Sequence, residues 1–190
     1  MMYSNKLQQA IKYAIDVHKG QTRKGKPNEP YITHPLSVGL ILSRCSANDD
    51  VIIAGILHDT IEDCKSDGSI TKEIIAEKFG ANVARMVDDV TEQEKSLSWA
   101  ERKRLALEHV KEMKKDSVMV KSADVLHNLR DQISDYEDMG NKMFERFNAP
   151  KSRQLERYQR LFVELEKAYP ENPLLPELKE AVNRITELWK

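Results

Sequence analysis

The sequence predicts an all-α, single-domain helical bundle of roughly nine helices. Three observations lead there. Apolar residues recur at helical spacing along most of the chain, not in the alternation of strands. Seven Gly and seven Pro in 190 residues are too few for the many turns of an all-β fold. No linker, repeat or low-complexity tract divides the chain, and its length suits one core. The expected unit is residues 1–190, with a motif-bearing core over about 4–137 and C-terminal helices over about 150–189.

The elements follow in order. Leu7, Ile11, Ala14 and Ile15 predict a helix over about residues 4–18, with Ser4 as N-cap and Gly20 as stop. Residues 20–35, GQTRKGKPNEPYITHP, read as a loop, because Gly25, Pro27 and Pro30 interrupt helix and strand alike. Pro35 suits the first turn of the next helix, LSVGLILSRC, which is apolar on most sides and so expected to be buried. Asn48 or Asp49 caps a second buried helix, DVIIAGILHDTIEDC, whose apolar run leads directly into His58 and Asp59. After Gly68 come two amphipathic helices, TKEIIAEKFG and ANVARMVDDVTE. A polar stretch follows, and then a helix marked by Leu105, Leu107 and Val110.

Val118, Val120, Ala123, Leu126, Leu129 and Ile133 mark the buried side of a long helix within DSVMVKSADVLHNLRDQISDYEDMG. Pro150 opens an amphipathic helix to about residue 168, and a last helix runs from beyond YPENP to Trp189. These C-terminal helices either cover the core or pair with a second copy, giving a homo-oligomer.

A formal net charge of −1 gives no global attraction to nucleic acid or to anionic membranes, so neither is expected as a partner. No run approaches the ~20 apolar residues needed to cross a bilayer. The N-terminal stretch lacks the apolar segment of a signal peptide. Cys45 and Cys64 form neither a CxxC nor a disulfide scaffold. Both read as small core residues of a cytoplasmic protein.

The chemistry concentrates in two clusters and a loop. His58 and Asp59 close an apolar helix, and Glu62 and Asp63 follow at four-residue offsets. Ionisable groups on a buried element need partners or a metal, and three carboxylates together need a cation or a shared proton. On the long helix, Asp124, His127, Asn128 and Asp131 fall at i, i+3, i+4 and i+7, one face. His34 stands before a proline at the mouth of a buried helix. Two imidazoles with carboxylates form a mixed N/O set that suits Mn²⁺, Fe²⁺ or Zn²⁺ better than Ca²⁺. Arg23, Lys24 and Lys26 make the loop before His34 basic, whereas Glu101–Arg104 reads as a solvated helix face, with help in holding a pyrophosphate as the alternative. His109 reads as surface, Trp99 and Trp189 as packing residues, and Met86, Met113 and Met119 as core.

The strings RKGKPNEPYITHP, AGILHDTIED, FGANVARMVDDVTE, ERKRL and VKSADVLHNLRD resemble, in order, the HD-domain superfamily of metal-dependent phosphohydrolases. They are most similar to the hydrolase domain of the Rel/Spo family of (p)ppGpp-metabolising proteins and its small single-domain alarmone hydrolases. The resemblance implies that His34, His58, Asp59 and Asp124 hold the metal, usually Mn²⁺. It implies that Glu62 and Asp63 activate or position the attacking water, and that Arg23 and Lys24 pack on the base and face the phosphates. Asn128 matches a ribose contact, and Lys121 is a further candidate for the substrate site. His127 either contacts phosphate or orients Asp124. The family commonly has a basic residue directly after the metal-binding Asp, a position that helps orient the site; here it is Val125. The implied activity is removal of pyrophosphate from the 3′ position of a guanosine nucleotide. The alternatives are hydrolysis of another nucleotide, such as a nucleoside monophosphate or an NADPH-like dinucleotide, and a nucleotide-binding regulatory module with little turnover.

Overall fold

At the centre lies α3 (Asp49–Leu57), in which every residue from Val51 to Leu57 is buried. Asn48 caps it, its side chain accepting from the Asp50 amide. The computed structural model describes residues 4–45, 48–63, 70–92 and 96–190, with the side chain of Asp63 outside that set. Cys64 and Gly68 also lie outside the described residues.

Around α3 pack α1 (Asn5–Val17), α2 (Thr33–Cys45), α6 (Ala81–Val90) and the 25-residue α8 (Lys115–Met139). Helices α2 and α3 meet closely, where Gly39 faces Ile56 and Gly55 faces Leu42. A Cβ on Gly39 would lie 2.5 Å from Ile56 Cγ1, and one on Gly55 would collide with Leu42. Glycine at both positions therefore lets two apolar helices meet backbone to side chain, and that contact fixes His34 and His58 relative to each other.

Outside this core lie α5 (Lys72–Phe79), capped by Thr71, and α7 (Trp99–Val110), capped by Ser98. A 3₁₀ segment (Gly140–Arg146) leads to α9 (Lys151–Ala168) and α10 (Leu175–Leu188). Helix α10 packs on α8 and α9, and α9 packs on α7. Trp189 is buried edge-on against Phe144, and Met86 and Met119 are buried. Met113 and Cys45 are partly buried against the core, and His109 is exposed. Among the described residues, nine α-helices have eight or more residues, and no helix is long and apolar enough to cross a membrane.

Two local expectations are corrected. Residues 20–35 are not all loop: β1 (Thr22–Arg23) and β2 (Lys26–Pro30) form an antiparallel hairpin. Its tip is Lys24–Gly25, where Gly25 has a φ of +78° that side chains with a Cβ avoid. Pro27 is tolerated because both strands of a two-stranded ribbon are edges. The helix through His58 is also interrupted. Thr60 Oγ1 donates to the Leu57 carbonyl at 2.7 Å, and His58 Nδ1 donates to the Gly55 carbonyl at 2.8 Å. These side chains compete for carbonyls that would continue α3, so His58 and Asp59 sit in a turn before the single-turn helix α4 (Thr60–Asp63).

Candidate metal centre

Three segments bring their donors to one point. The first turn of α2 supplies His34, the turn after α3 supplies His58 and Asp59, and α8 supplies Asp124. His34 Nε2 lies 3.2 Å from His58 Nε2, 3.5 Å from Asp59 Oδ2 and 3.4 Å from Asp124 Oδ1. His58 Nε2 lies 3.0 Å from Asp59 Oδ2 and 3.8 Å from Asp124 Oδ1. Ligand atoms of His34, His58 and Asp59 all fall within 4.8 Å of one another. Both imidazoles are buried.

The electrostatics call for a cation among these groups. Burial opposes a charge on His58, yet the carboxylates of Asp59 and Asp124 outweigh it and push the imidazole pKa up to about 9. Burial also opposes ionisation of Asp59, but the His58 charge holds its carboxyl well below the usual range. Asp124 is held low in the same way, by Lys121 and by the hydrogen bond from His34. Two imidazole nitrogens and two carboxylate oxygens form a donor set that fits a borderline divalent ion. The hydrogen bond from His58 Nδ1 to Gly55 leaves its Nε2 lone pair available to a metal.

A ring of polar groups holds these donors. Tyr31 donates its hydroxyl to Asp59 Oδ2 at 2.6 Å. Asn128 Nδ2 donates to Asp124 Oδ1 at 2.6 Å, and Lys121 Nζ donates to Asp124 Oδ2 at 3.0 Å. His127 lies with its Nδ1 2.9 Å from His34 Nδ1, and not against Asp124. Burial and the neighbouring His34 charge push the His127 pKa down to about 4. Val125 points into the apolar core; the basic group beside Asp124 is Lys121, one turn earlier on α8.

The hairpin brings Arg23 to the same helix. Its guanidinium donates to Asn128 Oδ1 at 3.2 Å and to Asp131 Oδ2 at 2.7 Å, and lies 5.7 Å from the centre of the Tyr31 ring. A cavity of about 150 Å³ opens there, lined in part by Arg23, Lys24, Tyr31, Asn128, Gln132 and Phe147. Glu62, on α4, accepts the Glu92 amide at 3.1 Å and faces the Lys121 charge. Asp63 belongs to α4 by its backbone.

The solvated reading of residues 101–104 holds for Arg104, which pairs with Glu101 and Glu108, but not for its neighbours. Arg102 donates to Glu92 Oε2 at 2.9 Å, and Lys103 also pairs with Glu92. Burial, then the nearby Arg157, brings the Lys103 pKa down to about 8. Lys103, Arg153 and Arg157 line a cavity of about 570 Å³ between α7 and α9. Sequence reasoning assigned no role to Tyr31, Arg153 or Arg157. Tyr31 could be noticed as the residue three before His34; the two arginines sit on an amphipathic helix and carry no such signal.

This donor set and fold define a helical metal-hydrolase class, and the chain belongs to the HD domain family, whose profile matches residues 10–146. Among curated proteins, the chain is 42 % identical over 125 residues to the guanosine-3′,5′-bis(diphosphate) 3′-pyrophosphohydrolase MESH1 of Xenopus tropicalis, covering 65 % of this chain and 67 % of that one. It is 37 % identical over 130 residues to a guanosine-3′,5′-bis(diphosphate) 3′-pyrophosphohydrolase of Vibrio cholerae, covering 65 % of this chain but only 17 % of that longer protein. A solved metazoan ortholog of SpoT that hydrolyses ppGpp superposes with a TM-score of 0.78 at 28 % identity, over 96 % of this chain and 97 % of that one.

Proposed function

We propose that this chain is a metal-dependent (p)ppGpp 3′-pyrophosphohydrolase that converts its substrate to GDP or GTP and pyrophosphate, with Mn²⁺ as the metal. One observation carries the reading. A buried centre of two imidazoles and two carboxylates lies between two groups of cations: Arg23 and Lys24 on the hairpin, and Lys103, Arg153 and Arg157 beyond Lys121. A nucleotide bearing separate diphosphates needs positive charge on both sides of the phosphorus attacked. The recorded substrate of the relatives supports the same choice.

In this reading His34, His58, Asp59 and Asp124 hold the ion. A bound divalent ion lowers the pKa of water and polarises a phosphoryl oxygen. Glu62 takes the proton of the attacking water, with Asp63 beside it in sequence as its partner in that role. Lys121 neutralises charge beside Asp124. Arg23 stacks on the purine while Asn128 meets the ribose. Lys103, Arg153 and Arg157 bind the remaining phosphates. In this reading the protein works in the cytoplasm.

A substrate panel tests this. Purified protein with Mn²⁺ should release pyrophosphate from ppGpp and leave GDP. Turnover of other phosphoesters with no release from ppGpp would overturn the assignment.

A further inference from the structure

We infer that His127 is a positioning residue for the metal centre: it accepts the Nδ1–H of His34 and so fixes the tautomer whose Nε2 lone pair faces His58, Asp59 and Asp124. The inference rests on the metal-centre reading above. The two Nδ1 atoms are 2.9 Å apart, with ring centroids at 4.8 Å and planes inclined at 60°. One nitrogen of that pair must donate and the other accept. If His34 Nε2 is a ligand atom, its proton sits on Nδ1, so His127 Nδ1 accepts and His127 carries its own proton on Nε2. His58 receives the equivalent service from the Gly55 carbonyl, which no side-chain substitution removes. For His34 the service comes from a side chain on another helix, three residues after Asp124. Helix α8 thus supplies one ligand and orients a second.

Two near-isosteres separate this role from substrate binding. The Asn side chain places Oδ1 close to the position of His Nδ1 and keeps the acceptor. Gln extends its amide toward the position of Nε2 and loses it. Mn²⁺ affinity, measured by calorimetric titration, should fall about 10–100-fold in His127→Gln and stay within about threefold of wild type in His127→Asn, with KM for ppGpp at saturating Mn²⁺ little changed. Equal Mn²⁺ affinity in both variants and wild type, or a loss confined to KM, would overturn the inference. Should either variant fail to fold, ¹⁵N spectra of the wild type decide: with Zn²⁺ bound, His127 must carry its proton on Nε2 and leave Nδ1 as acceptor, and a proton on His127 Nδ1 instead overturns the assignment. A wild type that binds neither Mn²⁺ nor Zn²⁺ would refute the metal-centre reading itself, which is a different result.

Discussion

Tyr31 donates its hydroxyl to Asp59 at 2.6 Å while its ring lies beneath Arg23, so one residue touches both a carboxylate proposed to hold the metal and the hairpin. Its ring also packs on His18 at 5.0 Å between centroids. Tyr31→Phe keeps that packing and removes the hydrogen bond to a charged group, worth about 1.5–3 kcal/mol. Mn²⁺ affinity should fall about tenfold or more as Asp59 loses its orientation. Calorimetric titration, with thermal melting to confirm the fold, checks this.

Ligand and proton acceptor should separate by substitution. Asp124→Ala should lose bound metal, read by elemental analysis, and with it the rise in Tm on adding Mn²⁺. Glu62→Gln should keep its metal and its melting shift while turnover falls at least about 100-fold. Metal retained in the first variant would remove Asp124 from the ligand set, and metal lost from the second would make Glu62 a ligand.

Proton and metal compete for the centre. The metal-free pKa of His58 is about 9, above the ordinary value of 6.5. Its contribution to the stability of the metal-free protein is therefore complete below pH 6.5 and lost as pH rises through about 9. Metal affinity moves the opposite way. A ligand nitrogen must be deprotonated, so affinity should rise up to about tenfold per pH unit between pH 6.5 and 9, then level off. Titrations in buffers of different ionisation enthalpy should report release of about one proton per ion at pH 7.

The α2–α3 contact should be intolerant of bulk. Gly55→Ala places a methyl group against Leu42, which is fully buried. Overpacking of this kind costs about 1–3 kcal/mol, against a gain of up to about 1 kcal/mol in helix propensity. A lower Tm is expected, together with weaker metal binding, because the Gly55 carbonyl holds His58. Denaturation with and without Mn²⁺ measures both effects.

What the sequence made legible followed from periodicity and local spacing. The run from Val51 to Leu57 announced a buried helix, and the His-Asp pair after it stood out because charge there needs a partner. The shared face of Asp124 and Asn128 follows from helical geometry, and both meet at one carboxylate. The hairpin was hidden because its strands are polar and proline-bearing, without the alternation that marks a half-buried strand. The break after Leu57 was hidden because it depends on Thr60 and His58 taking backbone carbonyls, which composition does not reveal. The partnership of His127 with His34 spans 93 positions, beyond the reach of any local pattern. Lys103 looked like its solvated neighbour Arg104 because the two differ only in which side of α7 they occupy.

Gly25 packs its backbone against the aliphatic stem of Arg146, where a Cβ would lie 2.7 Å from Cδ. The hairpin tip is thereby latched to the 3₁₀ segment, and Phe147 just beyond joins Arg23 and Lys24 around one small cavity. The surfaces proposed to meet the base thus lie on peripheral pieces, while the four proposed ligands stand on core helices and the turn between them. Exchanging the hairpin and the 3₁₀ segment as a matched pair is therefore the route to grafting a new nucleotide preference onto an unchanged hydrolytic centre, whereas moving either piece alone would break the latch.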